Sequence, residues 1–265
     1  MKSFLCFLLI ALSTLLKGGN DSTFTVLKRI DKKTKLITTD RLGNLYLAND
    51  NFIWLFNSQG DSIGAFNSRK YGTISFVDAT DPYQILVFFK DYNMVLFLDN
   101  YLSENGDPID LQALGFDQVI MACKSRENGF WIFDQLKQKI FHLDESFRQT
   151  HESVNLSQWF GEAMEPQMMV EYNNKLYVNS AISGIFVFDH FATYLKRIPL
   201  IGLDQIQLLE DRINYLENDS FCQYNLKDFK SDCKKISSNQ GITARIEKNR
   251  FFLQEKKKVT IFKTN

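Results

Sequence analysis

The sequence predicts an all-β repeat fold, a six-bladed β-propeller, and three observations carry that expectation. A short unit recurs along the chain: an apolar pair, a large apolar or aromatic residue, Asp or Asn, then a turn. Its copies are Trp54-Leu55-Phe56-Asn57, Leu96-Phe97-Leu98-Asp99, Phe141-His142-Leu143-Asp144, Phe186-Val187-Phe188-Asp189, Cys222-Gln223-Tyr224-Asn225 and a degenerate Thr260-Ile261-Phe262-Lys263. Counted from Phe56 the spacings are 42, 45, 45, 36 and 38 residues, room in each unit for the four short strands of a blade. The aromatic load is heavy, with 24 Phe and 10 Tyr, and aromatics favour pleated, half-buried strands. Finally, the last unit stops one strand short, while one strand, Phe24 to Ile30, stands before the first. A closed ring needs that strand in its last blade, because closure removes exposed edges.

Taken in order, the chain opens with Met1-Lys2-Ser3, an apolar run from Phe4 to Leu16, and Lys17-Gly18-Gly19-Asn20. A basic start, a short apolar run and small residues predict a signal peptide over 1–19, leaving an exported propeller over 20–265. The run is shorter than the ~20 residues a membrane span needs, so the mature chain is expected not to span a membrane. Cys6 precedes most of the apolar run, out of place for a lipidated cysteine.

Unit one reads as Leu36 to Asp40, Leu45 to Asn49, Phe52 to Asn57 and Ser62 to Phe66, bounded by Gly, Asn and Asp clusters. Unit four repeats the plan with Met168 to Val170, Lys175 to Val178, Gly184 to Asp189 and Tyr194 to Ile198. Units two, three and five place corresponding strands at Gln84 to Phe89, Gly129 to Phe133 and Arg212 to Leu216. Unit six runs from Ile242 through Phe251-Phe252-Leu253 to Val259 to Phe262.

Composition narrows the function classes. The formal net charge is zero, and removing Lys2 and Lys17 with the leader leaves 29 basic against 31 acidic residues. That balance offers no electrostatic footprint for nucleic acid. The one basic run, Lys256 to Lys258, lies between two apolar segments and reads as a solvated hairpin tip. Cys222 and Cys233 stand symmetrically about a predicted Lys-Asp turn, which would set them face to face across antiparallel strands as a disulfide in an oxidising compartment. Cys123 is left over as a small buried apolar residue.

The stretch Asp40-Arg41-Leu42-Gly43-Asn44-Leu45-Tyr46-Leu47-Ala48-Asn49, continued by Trp54-Leu55-Phe56-Asn57 and Gly60, resembles a blade of the NHL-type six-bladed propellers. Lys175 to Asn179 with Phe188-Asp189 keep part of that pattern; the other units agree in period and outline, and glycine is scarcer than in typical members. The resemblance implies the fold, and the family includes both enzymes and binding modules. The Lys/Asn/Phe/Ile-rich usage resembles that of Bacteroidota proteins. That likeness implies an exported periplasmic propeller, accessory to or plugging an outer-membrane assembly such as the type IX secretion translocon.

No catalytic constellation, nucleophile elbow, phosphate loop or dinucleotide fingerprint is present, and no cofactor or metal is called for. An enzymatic alternative is a calcium-dependent, sugar-lactonase-like hydrolase, whose hard cation needs oxygens from several blades converging on the channel. Asp40, Asp78, Asp117, Glu171 and Asp204 are its candidates, although most sit where Asp caps a turn. His142, His151 and His190 occupy third- or fourth-strand positions toward the outside of the ring and are expected not to converge. A third reading, a carbohydrate or peptide binder, predicts an aromatic platform over the channel mouth. The leading expectation is a non-enzymatic module for a protein partner. The blade-to-blade connections carry large apolar residues, and Leu114, Phe116, Trp159, Phe160, Met164 and Leu203 are its candidate contacts. The competing reading of these residues is that they are wedges packed between blades.

Overall fold

The computed structural model describes residues 25–236 and 241–264. The predicted leader and Phe24 lie outside the described residues. Strand β1 (Thr25–Ile30) comes first. Blade 1 is β2 (Leu36–Thr39), β3 (Leu45–Asn49), β4 (Phe52–Phe56) and β5 (Ser62–Asn67). Blade 2 is β6 (Phe76–Asp78), β7 (Ile85–Phe89), β8 (Met94–Leu98) and β9 (Ile109–Asp110). Blade 3 is β10 (Val119–Lys124), β11 (Phe130–Asp134), β12 (Lys139–Leu143) and β13 (Gln149–Glu152). A short helix, α1 (Leu156–Phe160), leads into blade 4: β14 (Met168–Tyr172), β15 (Lys175–Ser180), β16 (Gly184–Asp189) and β17 (Tyr194–Ile198). Blade 5 is β18 (Gln207–Leu209), β19 (Arg212–Glu217), β20 (Ser220–Asn225) and β21 (Ser231–Lys235). Blade 6 has β22 (Gly241–Glu247), β23 (Arg250–Glu255) and β24 (Val259–Lys263), and β1 pairs antiparallel with β24 to complete it. Six four-stranded antiparallel sheets result, and the ring closes through the N-terminal strand.

The recurring Asp or Asn has a local physical cause. Asp99 Oδ1 accepts the N–H groups of Tyr101 and Ser103, Asp144 Oδ1 those of Ser146 and Arg148, and Asp189 Oδ1 those of Phe191 and Thr193. Asn57 Oδ1 does the same for Gln59 and Asp61. Each side chain thus caps the turn between the third and fourth strands of its blade. The third residue after the cap is left-handed: Gly60, Leu102, Phe147 and Ala192 have φ of +84°, +63°, +60° and +64°. Only the first of these is glycine, which is why the glycine signal fades after unit one. The sixth copy ends on Lys263 because its fourth strand comes from the other end of the chain, so no turn follows to be capped.

Packing explains the continuous apolar runs of the middle strands. In β7, Ile85, Val87 and Phe89 face blade 1, while Leu86 and Phe88 face blade 3. Likewise Cys123, Trp131 and Phe133 meet Leu176, Val178, Phe186 and Phe188 of blade 4. On the other face of β15 and β16, Tyr177, Ile185 and Val187 meet Ile213, Tyr215 and Tyr224 of blade 5. A sheet covered on both faces has no polar side, so period-2 alternation is lost there. The ring's cores lie between blades, each formed by two neighbours.

The disulfide of Cys222 and Cys233 joins directly opposed residues of β20 and β21, and Cys123 is buried. Lys256 to Lys258 form the turn between β23 and β24.

Candidate functional site

The innermost strands β2, β6, β10, β14, β18 and β22 surround a central channel, which holds a cavity of about 550 Å³ lined by residues of all six blades. These strands run in one sense, so their first residues mark one end of the channel and their hairpins the other. Leu36, Phe76 and Met168 make the first end apolar; Phe76 also packs against the cores of blades 3, 4 and 5. At the hairpin end stand Arg41, Asp81, Arg126, Tyr172 and Glu247.

Two of the predicted acids line this channel, and both are hydrogen-bonded to groups of a neighbouring blade. Asp78 is buried; its Oδ2 accepts the Lys124 N–H at 2.9 Å and its Oδ1 the Thr80 N–H at 2.9 Å. Glu171 is buried too; its Oε2 accepts Trp131 Nε1–H at 2.6 Å and Ser125 Oγ–H at 2.9 Å. Gln207 holds blade 5 to blade 6 similarly, its amide giving and accepting one 2.8 Å bond with the Ile246 backbone. These side chains are staples between blades, satisfying backbone and side-chain donors that burial would otherwise leave unpaired.

Asp40 accepts from the Leu42 and Asn44 backbones, the Asn44 amide and the Tyr46 hydroxyl, capping the β2–β3 turn. Asp117 and Asp204 are exposed and do not line the cavity. The five acids therefore do not converge: Asp40 caps a local turn, Asp78 and Glu171 bond to a neighbouring blade, and Asp117 and Asp204 are exposed away from the cavity. Among the described residues no three His, Cys, Asp or Glu side chains gather in a group that could hold a metal ion. Two of the histidines do meet, contrary to expectation. His142 and His151 are cross-strand partners on β12 and β13, with ring centroids 5.8 Å apart, at the outer side of blade 3. His190 stacks on Phe191, whose ring meets His151 at 5.4 Å.

Sequence reasoning missed the cations of the channel. Burial pulls the Lys124 ammonium below its usual value, and its Nζ donates to Gly129 O at 3.3 Å. The Arg245 guanidinium is buried and shifted down to about 10, with Asp78 the opposing influence. Burial conversely raises the carboxyls of Asp78 and Glu247 above the ordinary range. The available signal was Thr243-Ala244-Arg245-Ile246-Glu247, charged or polar residues alternating along an inner strand. Among the described residues the aromatic rings lining the cavity are Phe76 and Tyr172, which make no aromatic platform over the mouth.

The candidate partner contacts divide. Phe116, Met164 and Leu203 are buried, so these three are wedges and not surface contacts. The Phe116 and Phe141 rings meet at a tilt with centroids 5.0 Å apart, and the Met164 N–H donates to Gln138 Oε1 at 2.8 Å. Phe160 is half-buried against Phe186 and Tyr194, at 4.7 and 5.1 Å. Leu114 is 37% exposed and Trp159, on α1, is 62% exposed. On loops bonded to the Trp159 connection and to each other stand two residues that were not anticipated, Ile182 (70% exposed) and Ile201 (58%). Ser183 Oγ donates to Glu162 at 3.2 Å and the Gly202 N–H to Ala181 O at 2.7 Å, tying the three loops over blade 4.

A ring of six four-stranded sheets about a lined channel defines the chain as a six-bladed β-propeller. No protein-family model matches it, and no curated protein matches it by sequence. Solved structures do. A streptogramin B lyase is similar with TM-score 0.61 and 12% identity, over 92% of this chain and 97% of that one. The Pan2 WD40 domain of Neurospora crassa gives 0.59 and 11%, over 93% and 97%. BamB from Moraxella catarrhalis gives 0.51 and 10%, over 91% and 100%. Identities this low speak for the fold alone. No helix among the described residues is long and apolar enough to cross a membrane.

Proposed function

We propose that this chain is a non-enzymatic protein-interaction propeller of the bacterial cell envelope, an accessory subunit of an outer-membrane assembly. The observation that carries the reading is the apolar patch of Trp159, Ile182 and Ile201 on three mutually bonded loops over blade 4. Large apolar side chains held out in water by ordered loops are costly unless a partner covers them, and Trp is the residue most enriched at interface hot spots. The employment of Asp78 and Glu171 as staples supports the non-enzymatic part of the reading. The likeness to BamB is one of fold. The finer assignment, a plug or accessory of the type IX translocon in the periplasm, rests on the NHL-like first blade and the residue usage.

The test is detergent extraction of envelope membranes carrying the tagged chain, followed by affinity purification. A stoichiometric outer-membrane partner is expected with the wild-type chain. Trp159→Ala with Ile182→Asp is expected to reduce its recovery at least ~30-fold, a hot-spot loss of ~2 kcal/mol, with an unchanged circular dichroism spectrum. Recovery of a free monomer whose melting temperature rises with calcium would replace this reading with the hydrolase.

A further inference from the structure

We infer that the central channel is a binding site for a small monocarboxylate with an apolar body, and that Arg245 is the residue that receives its carboxylate. This site goes beyond the partner surface and is independent of it, since the patch lies on the loops over blade 4.

The argument begins with Arg245. Its side chain lines the cavity and only 7% of the residue is exposed. Nη1 donates to Ile206 O at 3.1 Å, Nε has no partner, and no carboxylate forms an ion pair with the guanidinium among the described residues. A buried cation of this kind is expensive unless something pairs with it, and interiors tolerate few unsatisfied donors. The acids nearby are committed elsewhere: Asp78 to the backbones of Thr80 and Lys124, Glu171 to Trp131 and Ser125. A guanidinium that lines a cavity, is buried and lacks an ion-pair partner is chemically matched to a carboxylate or a phosphate.

The surroundings choose between them. Asp78, Asp81, Glu171 and Glu247 line the same cavity. Arg41, Lys124, Arg126 and Arg245 balance these four acids, so a dianionic phosphate would leave the lining two charges negative and a monocarboxylate only one. The ligand's body is set by the apolar side chains of the same cavity, Leu36, Phe76, Met168 and Leu208; Met168 stands beside Arg245, since its Sδ accepts the Ile206 N–H while Arg245 donates to Ile206 O. A volume of about 550 Å³ lies within the ~300–1,000 Å³ range of small-molecule sites and accommodates a chain of about ten carbons. Either an acyl carboxylate or an apolar peptide C-terminus supplies that chemistry.

Calorimetric titration of the full chain with sodium decanoate tests this, with decanol as the neutral counterpart. Saturable one-to-one binding of decanoate is expected, with decanol weaker by ~10-fold or more, the contribution of one charge-assisted contact. Arg245→Met should abolish that preference, weakening decanoate ~10-fold and leaving decanol unchanged. If that variant fails to fold, Arg245→Lys keeps the charge, loses the fork, and should weaken decanoate less than ~10-fold while the melt stays cooperative. An N-acetylated apolar tripeptide, set beside its C-terminal amide, separates the sources: binding of the acid over the amide assigns a peptide terminus, and binding of decanoate alone an acyl chain. The inference is overturned if neither acid binds saturably, if decanol or decyl phosphate binds as tightly as decanoate, or if Arg245→Met leaves the preference intact. Trp159→Ala should leave decanoate binding unchanged, so loss of the partner and loss of the ligand are separate results.

Discussion

His142 shows how one side chain couples the repeat to solution conditions. Burial is the main influence lowering it below its ordinary 6.5, and His151 opposite adds to that; the Asn128 carbonyl, Glu171 and Glu127 act the other way. A histidine depressed in the fold takes up its proton more readily when unfolded, so its contribution is present above pH ~6.5 and is lost as pH falls through the folded value. Asp78 is shifted upward by burial and has the opposite sign, its contribution lost as pH rises through its folded value. The readout is therefore a difference. Urea-unfolding free energies measured between pH 7.5 and 5 should decline more for the wild type than for His142→Gln, by on the order of 1 kcal/mol per unit of depression. Equal slopes would mean that the ring exchanges with water freely.

At the scale of the element, the capped turn between third and fourth strands is the unit that repeats. Its motif was legible because the bonds are local: an Asp or Asn oxygen reaches N–H groups two and four residues on. Gly60 marks where that turn also touches a neighbour. Its φ is +84°, and an added Cβ would stand 2.8 Å from Lys28 Cγ and 2.9 Å from Ile261 Cδ1, in the strands that close the ring. Gly60→Ala should cost about 2–3 kcal/mol, combining left-handed strain with overpacking. Gly115 has φ +87° and nothing within 4 Å, so Gly115→Ala should cost only the strain, about 1 kcal/mol. Chemical denaturation of the two variants separates crowding from conformation; equal losses would remove the crowding contribution. The helix α1 was not legible, since Asn155 capping it and Leu156 anchoring it are too brief a pattern in a connection of mixed residues.

For the whole molecule, closure is the decisive event. β1 contributes five registered pairs with β24, and buried Ile30 belongs to the core between blades 6 and 1. A chain lacking residues 1–31 should lose about 3–5 kcal/mol from those pairs and that burial, and should self-associate through the bared β24 edge. Size-exclusion chromatography and thermal melts would register both, and a peptide of residues 24–31 should restore the monomer. A truncated chain that stays monomeric with an unchanged melt would show that closure contributes little.

The residues of the amino-acid sequence determined the repeat, the count of six blades and the need for the N-terminal strand, because turns and alternation are interactions between near neighbours in the chain. They also set Cys222 opposite Cys233, through one short hairpin. What met in the channel was decided only by the tertiary structure. Phe76, Glu171 and Arg245 come from strands far apart in sequence, and no local pattern says that one is a floor, one a staple and one a cation without an ion pair. The connections gave the same lesson in reverse: Phe116, Met164 and Leu203 look like Trp159 in sequence, and only the packing of whole blades sends three inward and leaves one in water.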